Sequence, residues 1–409
     1  MDSYKNSDLT PPIMQGAPPP PEWRVPRIDW DRPPWNRWAF QRVREILPTA
    51  PIRRGAAASL MAERAEDIGA IRFTSAGTTK TIDQMIDDTY TDGMLIWLDG
   101  RIVHESYYNG MDQRSMHLAQ SVSKSIAATA GAGLIEEGLI APDAPLTDTL
   151  PELADTAWNG ATLRHVMDMA SGAKFVETYD QRDSDVGKMD YACGWKPAPE
   201  GVDASDWPTC IWDQITGLKV KEAAHGSRFL YRSIETDVMA HAFERVSGLR
   251  LPDLISSRLW APMGAEEDAN ITVDSSGYGL ACGGISASLR DFARFGLAML
   301  NDGLVEGRRV IPKAWVDDVR GGQHGHFSDD GRKYFPNGHY RNQFWIEDRD
   351  RMGHLCLGVF GQTIYVSPER GMVAVKLSTW PEFQNAEYLL ETMAAFHAIS
   401  DAFGGARAI

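Results

Sequence analysis

The first strong pattern along the chain is a continuous apolar run, Met94-Leu95-Ile96-Trp97-Leu98, broken by Asp99-Gly100 and resumed at Ile102-Val103. A run of that length against an Asp-Gly pair predicts strand, two-residue turn and strand. The period then changes. Residues 121–140 are Ala-rich and read as one helix ending in a Gly-containing turn. Leu, Val, Met, Ala and Phe recur at helical spacing over 161–169 and 235–246, and again over 289–300 before Asn301-Asp302-Gly303. Near the end, 362–366 and 373–377 read as strands about the turn Pro368-Glu369-Arg370-Gly371, and 386–402 as a last helix. One stretch, 174–217, is long, polar and rich in Asp, Trp, Pro and Gly. A loop of that length in a compact body is more often functional than idle.

Strands early, helices in the middle, then strands and a helix late predict an α/β fold with a helical insertion. Residues 71–145 and 266–409 are expected to form the α/β part, and 146–265 a helical sub-domain carrying the long loop. Residues 1–70 are expected to be an extension. Pro11-Pro12, Pro18-Pro19-Pro20-Pro21 and Pro33-Pro34 favour extended backbone, and Trp23, Trp30, Trp35 and Trp38 would hold such an arm on the body.

Composition narrows the partners. A formal net charge of -15 would repel nucleic acid and anionic membrane. Residues 126–140 are apolar but interrupted by Gly131, Gly133, Glu136, Glu137 and Gly138, too short to span a bilayer. The start, Met1-Asp2-Ser3-Tyr4-Lys5, leads into no apolar signal segment. Cys193, Cys210, Cys282 and Cys356 form no Cys-x-x-Cys pair. A cytoplasmic protein with reduced thiols is the expectation. Oligomeric state is left open, with a homodimer among the options.

Two Ser-x-x-Lys motifs occur, Ser121-Val122-Ser123-Lys124 and Ser171-Gly172-Ala173-Lys174. Only Ser121 opens a helical run, which places Lys124 one turn away on the same face. Such a lysine can take the serine proton only when neutral. Its pKa, about 10.4 when free, would have to fall by roughly three units, about 4 kcal/mol, and burial between sub-domains supplies that direction. Tyr231-Arg232-Ser233 precedes a helical segment, where a tyrosine can relay protons among lysine, serine and leaving group. Cys356-Leu357-Gly358-Val359 precedes a strand pair. Gly358 would let substrate approach the backbone, and the Val359 amide would join that of Ser121 in an oxyanion hole, each donor contributing roughly 2.7–4 kcal/mol.

Together with Pro34-Trp35-Asn36-Arg37-Trp38-Ala39-Phe40, Thr89-Tyr90-Thr91-Asp92, Thr236-Asp237-Val238 and Lys376-Leu377-Ser378-Thr379-Trp380-Pro381, these motifs resemble the class C β-lactamase-like serine hydrolases. Within them the chain is similar to the nylon-oligomer hydrolases and their carboxylesterase relatives. The resemblance covers nearly the whole chain. It implies a central antiparallel sheet flanked by helices, an inserted all-helical sub-domain and an acyl-enzyme on Ser121 that water releases. It also implies a substrate wall containing Tyr179, Asp190 and Trp195, with Ser233, Gly358 and Phe360 beside it. Tyr179 would bond the scissile amide nitrogen and Asp190 a substrate ammonium. The departures are Cys356-Leu357-Gly358 where penicillin-binding members carry Lys-Thr-Gly, and Phe360 in the following turn. Loss of that lysine argues against β-lactams and favours neutral or amine-bearing amides and esters.

Other chemistries find little footing. No Gly-x-Ser-x-Gly elbow occurs, and no phosphate-cradling Gly loop with a lysine. The ten histidines are scattered, with His324 and His326 in a Gly-rich loop, so neither metal nor cofactor is expected. A catalytically silent binding protein of the same fold stays open, as does an esterase without useful amidase activity.

Overall fold

A computed structural model describes residues 11–322 and 327–403. His324, His326 and the first ten residues lie outside them. The core of the α/β part is a seven-stranded antiparallel sheet. Its spatial order is His339–Arg341, Phe344–Asp348, Gly353–Gly358, Gln362–Ser367, Met372–Ser378, Thr91–Leu98 and Arg101–Tyr107. The expected hairpin is the last pair. Its turn residues Asp99 and Gly100 both have positive φ, 51° and 89°, which lets two residues reverse the chain with the twist of the strands.

Alternation along the strands serves two layers. Leu95, Ile364, Val373 and Val375 face the large core with Phe292 and Phe295 of the helix Leu289–Leu300. Met94, Ile96 and Ala374 face Met393, Phe396 and Ile399 of the helix Ala386–Ala402. The first of these helices lies close because of Gly296, where a Cβ would sit 2.6 Å from Val373 Cγ1. Ser288 caps it, its hydroxyl accepting from the Asp291 amide at 3.1 Å.

A second, four-stranded sheet runs Thr49–Ile52, Ala269–Thr272, Ile285–Ala287, His117–Leu118, all antiparallel. The expected arm therefore contributes a strand, and also a short helix, Asn36–Ala39. Trp30 and Trp38 are buried, while Trp23 and Trp35 are partly buried with ring centroids 6.2 Å apart.

Two expected elements differ. The single helix over 121–140 is two, Val122–Ala130 and Ala132–Glu136, with the break at Gly131. A Cβ there would lie 2.2 Å from Phe243 Cε2, so the helix Ser233–Ser247 presses against the chain at that point. The stretch 174–217 is not one loop either, since it contains the helices Asp185–Ala192 and Ile211–Gly217. Both are short, and they depend on a few buried contacts such as Val186, Met189, Ile211 and Ile215.

Among the described residues no helix is long and apolar enough to cross a membrane, and no cluster of His, Cys, Asp or Glu is placed to hold a metal. The four cysteines are free thiols.

Candidate active site

The site is built where the two sheets meet the helical layer. After His117–Leu118, the Ala119 amide bonds Ile285 O at 2.8 Å, and the chain turns through Gln120 with φ 49°. A left-handed non-glycine residue costs roughly 1–2 kcal/mol. The turn brings Ser121 to the head of a helix whose residues are all buried. Lys124, one turn on, is 1% exposed. Its Nζ donates to Ser121 Oγ at 2.9 Å, Ser233 Oγ at 3.2 Å and Cys282 O at 2.7 Å. Those three acceptors match its three protons.

Tyr231 completes the group. Its ring centroid is 5.1 Å from Lys124 Nζ, and it stacks on Trp345 at 5.6 Å. Burial pushes the phenol's pKa up, while the Lys124 charge and a hydrogen bond to Ser121 pull it back without cancelling the rise.

Lys124 itself departs from expectation. Burial does push its pKa down, but Tyr231, Cys282 and Glu177 push back, and the amine ends above the ordinary lysine value. Tyr231 and Cys282 exert that pull only as anions, and burial holds both protonated beyond their usual ranges. The third group acting on Lys124 is the Glu177 carboxylate. No motif marks Glu177 in the sequence. It accepts from Ser233 Oγ at 2.5 Å, the Ser233 amide at 2.9 Å and Tyr179 Oη at 2.7 Å. A continuous chain of hydrogen bonds thus runs Lys124–Ser233–Glu177–Tyr179.

The second Ser-x-x-Lys has no such arrangement. Ser171 Oγ donates to buried Glu235 at 2.7 Å, and Lys174 is exposed.

Gly358 ends a sheet strand beside the Gln120 turn, where a Cβ would meet Ala119 O at 2.5 Å. Only glycine allows that approach. The next two residues divide the labour: the Phe360 amide is committed to Phe383 O at 2.8 Å, while those of Val359 and Ser121 donate to no backbone carbonyl among the described turn and loop bonds. Phe360 has φ 63° and packs against Phe40 and Phe383 at 5.3 and 5.6 Å. For a bulky residue that backbone is strained, as is common beside functional sites.

A cleft partly open to solvent gathers Gln120, Tyr179, Asp190, Trp195, Val359 and Phe360 on its wall. Trp195 is 6% exposed and bonds Thr272 Oγ1 at 2.9 Å, so most of it is wall structure. Asp190 faces the cleft already paired with Lys196 at 3.0 Å, a partner sequence spacing did not suggest. Burial raises the Asp190 pKa and Lys196 opposes it.

The beta-lactamase family model matches residues 79–397. The chain belongs to the beta-lactamase family. A 6-aminohexanoate-dimer hydrolase from Paenarthrobacter ureafaciens is 36% identical over 361 residues, covering 87% of this chain and 89% of that one. A Bacillus anthracis structure provisionally assigned as a 6-aminohexanoate-dimer hydrolase superposes with a TM-score of 0.83 at 24% identity, over 94% of this chain and 98% of that one. A family VIII carboxylesterase structure has a TM-score of 0.54 at 15% identity, over 75% and 92%. The expected fold, an antiparallel sheet with flanking helices and a helical insertion, is the one this beta-lactamase-family chain has. It is an enzyme of the serine-dependent hydrolase group.

Proposed function

We propose that this beta-lactamase-family hydrolase cleaves linear amides and short acyl esters through an acyl-enzyme on Ser121. The observation that carries the reading is the 2.9 Å contact between Lys124 Nζ and Ser121 Oγ in a setting almost without solvent. The relative named for 6-aminohexanoate dimers points to linear amides as the class to test.

In this mechanism Ser121 Oγ attacks the carbonyl carbon as its proton passes to the Lys124–Tyr231 pair. The amides of Ser121 and Val359 receive the oxyanion. Tyr231 returns the proton to the departing alcohol or amine, and water then attacks the ester carbonyl of the acyl-enzyme by the reverse path. A turnover screen across p-nitrophenyl esters, 6-aminohexanoate dimer and β-lactams tests the reading. Esters and linear amides should turn over, and β-lactams should not, because Cys356-Leu357-Gly358 offers no lysine for their carboxylate.

Amide cleavage makes a demand that ester cleavage does not. Tyr179 gives its hydroxyl proton to Glu177, so only lone pairs are left to face substrate. They can accept an amide N–H, which an ester lacks. Tyr179→Phe should therefore cut amide kcat/KM by about tenfold, the scale of one hydrogen bond, and ester kcat/KM by much less. Equal losses on both substrates would remove the amide-specific role.

The acid–base pair sets the pH dependence. Both Lys124 and Tyr231 hold their protons above their ordinary values, and one must be free to accept the serine proton. Ester kcat/KM should then rise with pH through neutrality and still be climbing at about pH 9. Glu177→Gln removes the anion that favours the charged amine, so its rising limb should move to lower pH. A limb that stays in place, or moves up, would show that Glu177 does not tune the pair.

A further inference from the structure

Residues 27–32 of the N-terminal arm run along the segment that carries Tyr179, Asp190 and Trp195. Arg27 Nη2 donates to Gly194 O at 2.8 Å, Trp30 Nε1 to Trp195 O at 3.0 Å and Arg32 Nη2 to Tyr179 O at 3.2 Å. Asp29 pairs with Arg182. Among these contacts Asp31 is 5% exposed and lines the same cleft as Asp190. Lys196 Nζ bridges the two carboxylates, 2.7 Å from Asp31 Oδ2 and 3.0 Å from Asp190 Oδ2.

That bridge is unbalanced. Lys196 meets two carboxylates, Arg182 pairs with Asp29, and Arg32 lies between Asp31 at 3.9 Å and the exposed Asp180 at 4.0 Å, so four acids share three cations. Asp31 Oδ1 is buried without a hydrogen-bond partner, since Arg32 Nε is 3.9 Å away and out of bonding reach. A buried carboxylate oxygen left unsatisfied is costly. A ligand bringing N–H donors and one positive charge would relieve both the missing bond and the uneven charge. A neutral ligand would relieve at most the first, and an anion neither.

We propose that Asp31 is a specificity-determining residue of the cleft, forming with Asp190 a subsite for the primary ammonium end of a linear substrate. Lys196, Arg32 and Arg182 leave one acid of the four in excess, which sets the subsite to a single positive charge. The arm is then part of the substrate site and not only packing. The inference rests on the cleft being the substrate site of a Ser121 hydrolase.

Two ester pairs test it by placing the charge on either side of the scissile bond. They are p-nitrophenyl 6-aminohexanoate against p-nitrophenyl heptanoate, and 6-aminohexyl acetate against heptyl acetate. The readout is the ratio of kcat/KM within each pair on one preparation, because partial unfolding lowers both members and leaves the ratio intact. Wild type should favour the amino member in at least one pair. Asp31→Asn should cut that ratio by at least about tenfold, the scale of a hydrogen bond to a charged group. Lys196→Met, which removes the resident cation, should raise it. Ratios unchanged in Asp31→Asn, a fall in Lys196→Met, or a wild type that prefers the neutral member in both pairs would each overturn the proposal. Failure of the hydrolase reading looks different: no ester turns over, and a fluorophosphonate leaves Ser121 unlabelled.

Discussion

Ser121→Ala should lower turnover of esters and amides by a factor of about 10⁴–10⁶, the range seen when a nucleophile that acts as part of a unit is lost. The substitution removes one oxygen. Lys124 keeps its bonds to Ser233 Oγ and Cys282 O, so the amine stays in place and the melting temperature should barely move. Loss of activity in a protein of unchanged stability then isolates the chemistry from the fold. Intact mass after fluorophosphonate treatment supplies a second readout, with one adduct on wild type and none on the variant. The other Ser-x-x-Lys gives the contrast. Ser171 bonds buried Glu235, whose pKa burial raises to about 7. Ser171→Ala should keep the adduct and lose stability instead. Residual turnover of Ser121→Ala within about tenfold of wild type would place the nucleophile elsewhere.

Asp92→Ala is expected to give the largest loss of stability, about 3–5 kcal/mol, because it leaves a buried guanidinium uncompensated. Asp92 and Arg37 are fully enclosed and 2.9 Å apart. Asp92 also accepts from Asn109 Nδ2 at 3.0 Å and Thr379 Oγ1 at 2.9 Å, and lies 3.1 Å from His117 Nε2. Two further nitrogens of Arg37, Nε and Nη2, already lack partners, so nothing nearby can absorb the freed charge. These residues tie the arm, the strand Thr91–Leu98 and the segment before the Gln120 turn to one carboxylate. Activity should therefore fall with stability, and the urea midpoint is the direct measurement. A change under about 1 kcal/mol would mean that packing alone holds the arm.

The pH sign of that network follows from its partners. Burial raises the Asp92 pKa, but Arg37, His117 and Thr379 outweigh it and set it below the ordinary carboxylate value. A depressed folded pKa contributes stability above the unfolded value, about 3.9 for Asp, and loses it as pH falls through the folded one. Wild type should lose that increment below about pH 4, and the Ala variant should lack this part of the acid limb.

Much of the fold was legible because its signals are local. Asp99-Gly100 between apolar runs, the helical spacing over 289–300 and the last helix each satisfy rules that need only near neighbours. Choosing Ser121 over Ser171 as the candidate nucleophile was also local, since only one serine opens a helical run. The close approach of the Phe243 ring at Gly131 was not legible, because that ring lies far along the chain. Nor were the helices at 185–192 and 211–217, where short sequences depend on a few buried contacts.

Sequence by itself thus determined the architecture, the Ser-x-x-Lys spacing and the absence of a lysine in the 356–358 strand, all properties of bonded neighbours and periodicity. Only the tertiary structure decided the electrostatics of the site. It placed Glu177 against Ser233 and Tyr179, gave Lys124 anionic company that counters its burial, and set Lys196 between Asp190 and an aspartate from the arm. The physical reason is range. Helix and strand preferences act over a few bonds, whereas a charge in a dry interior responds to every group within several ångströms, whatever its position in the chain.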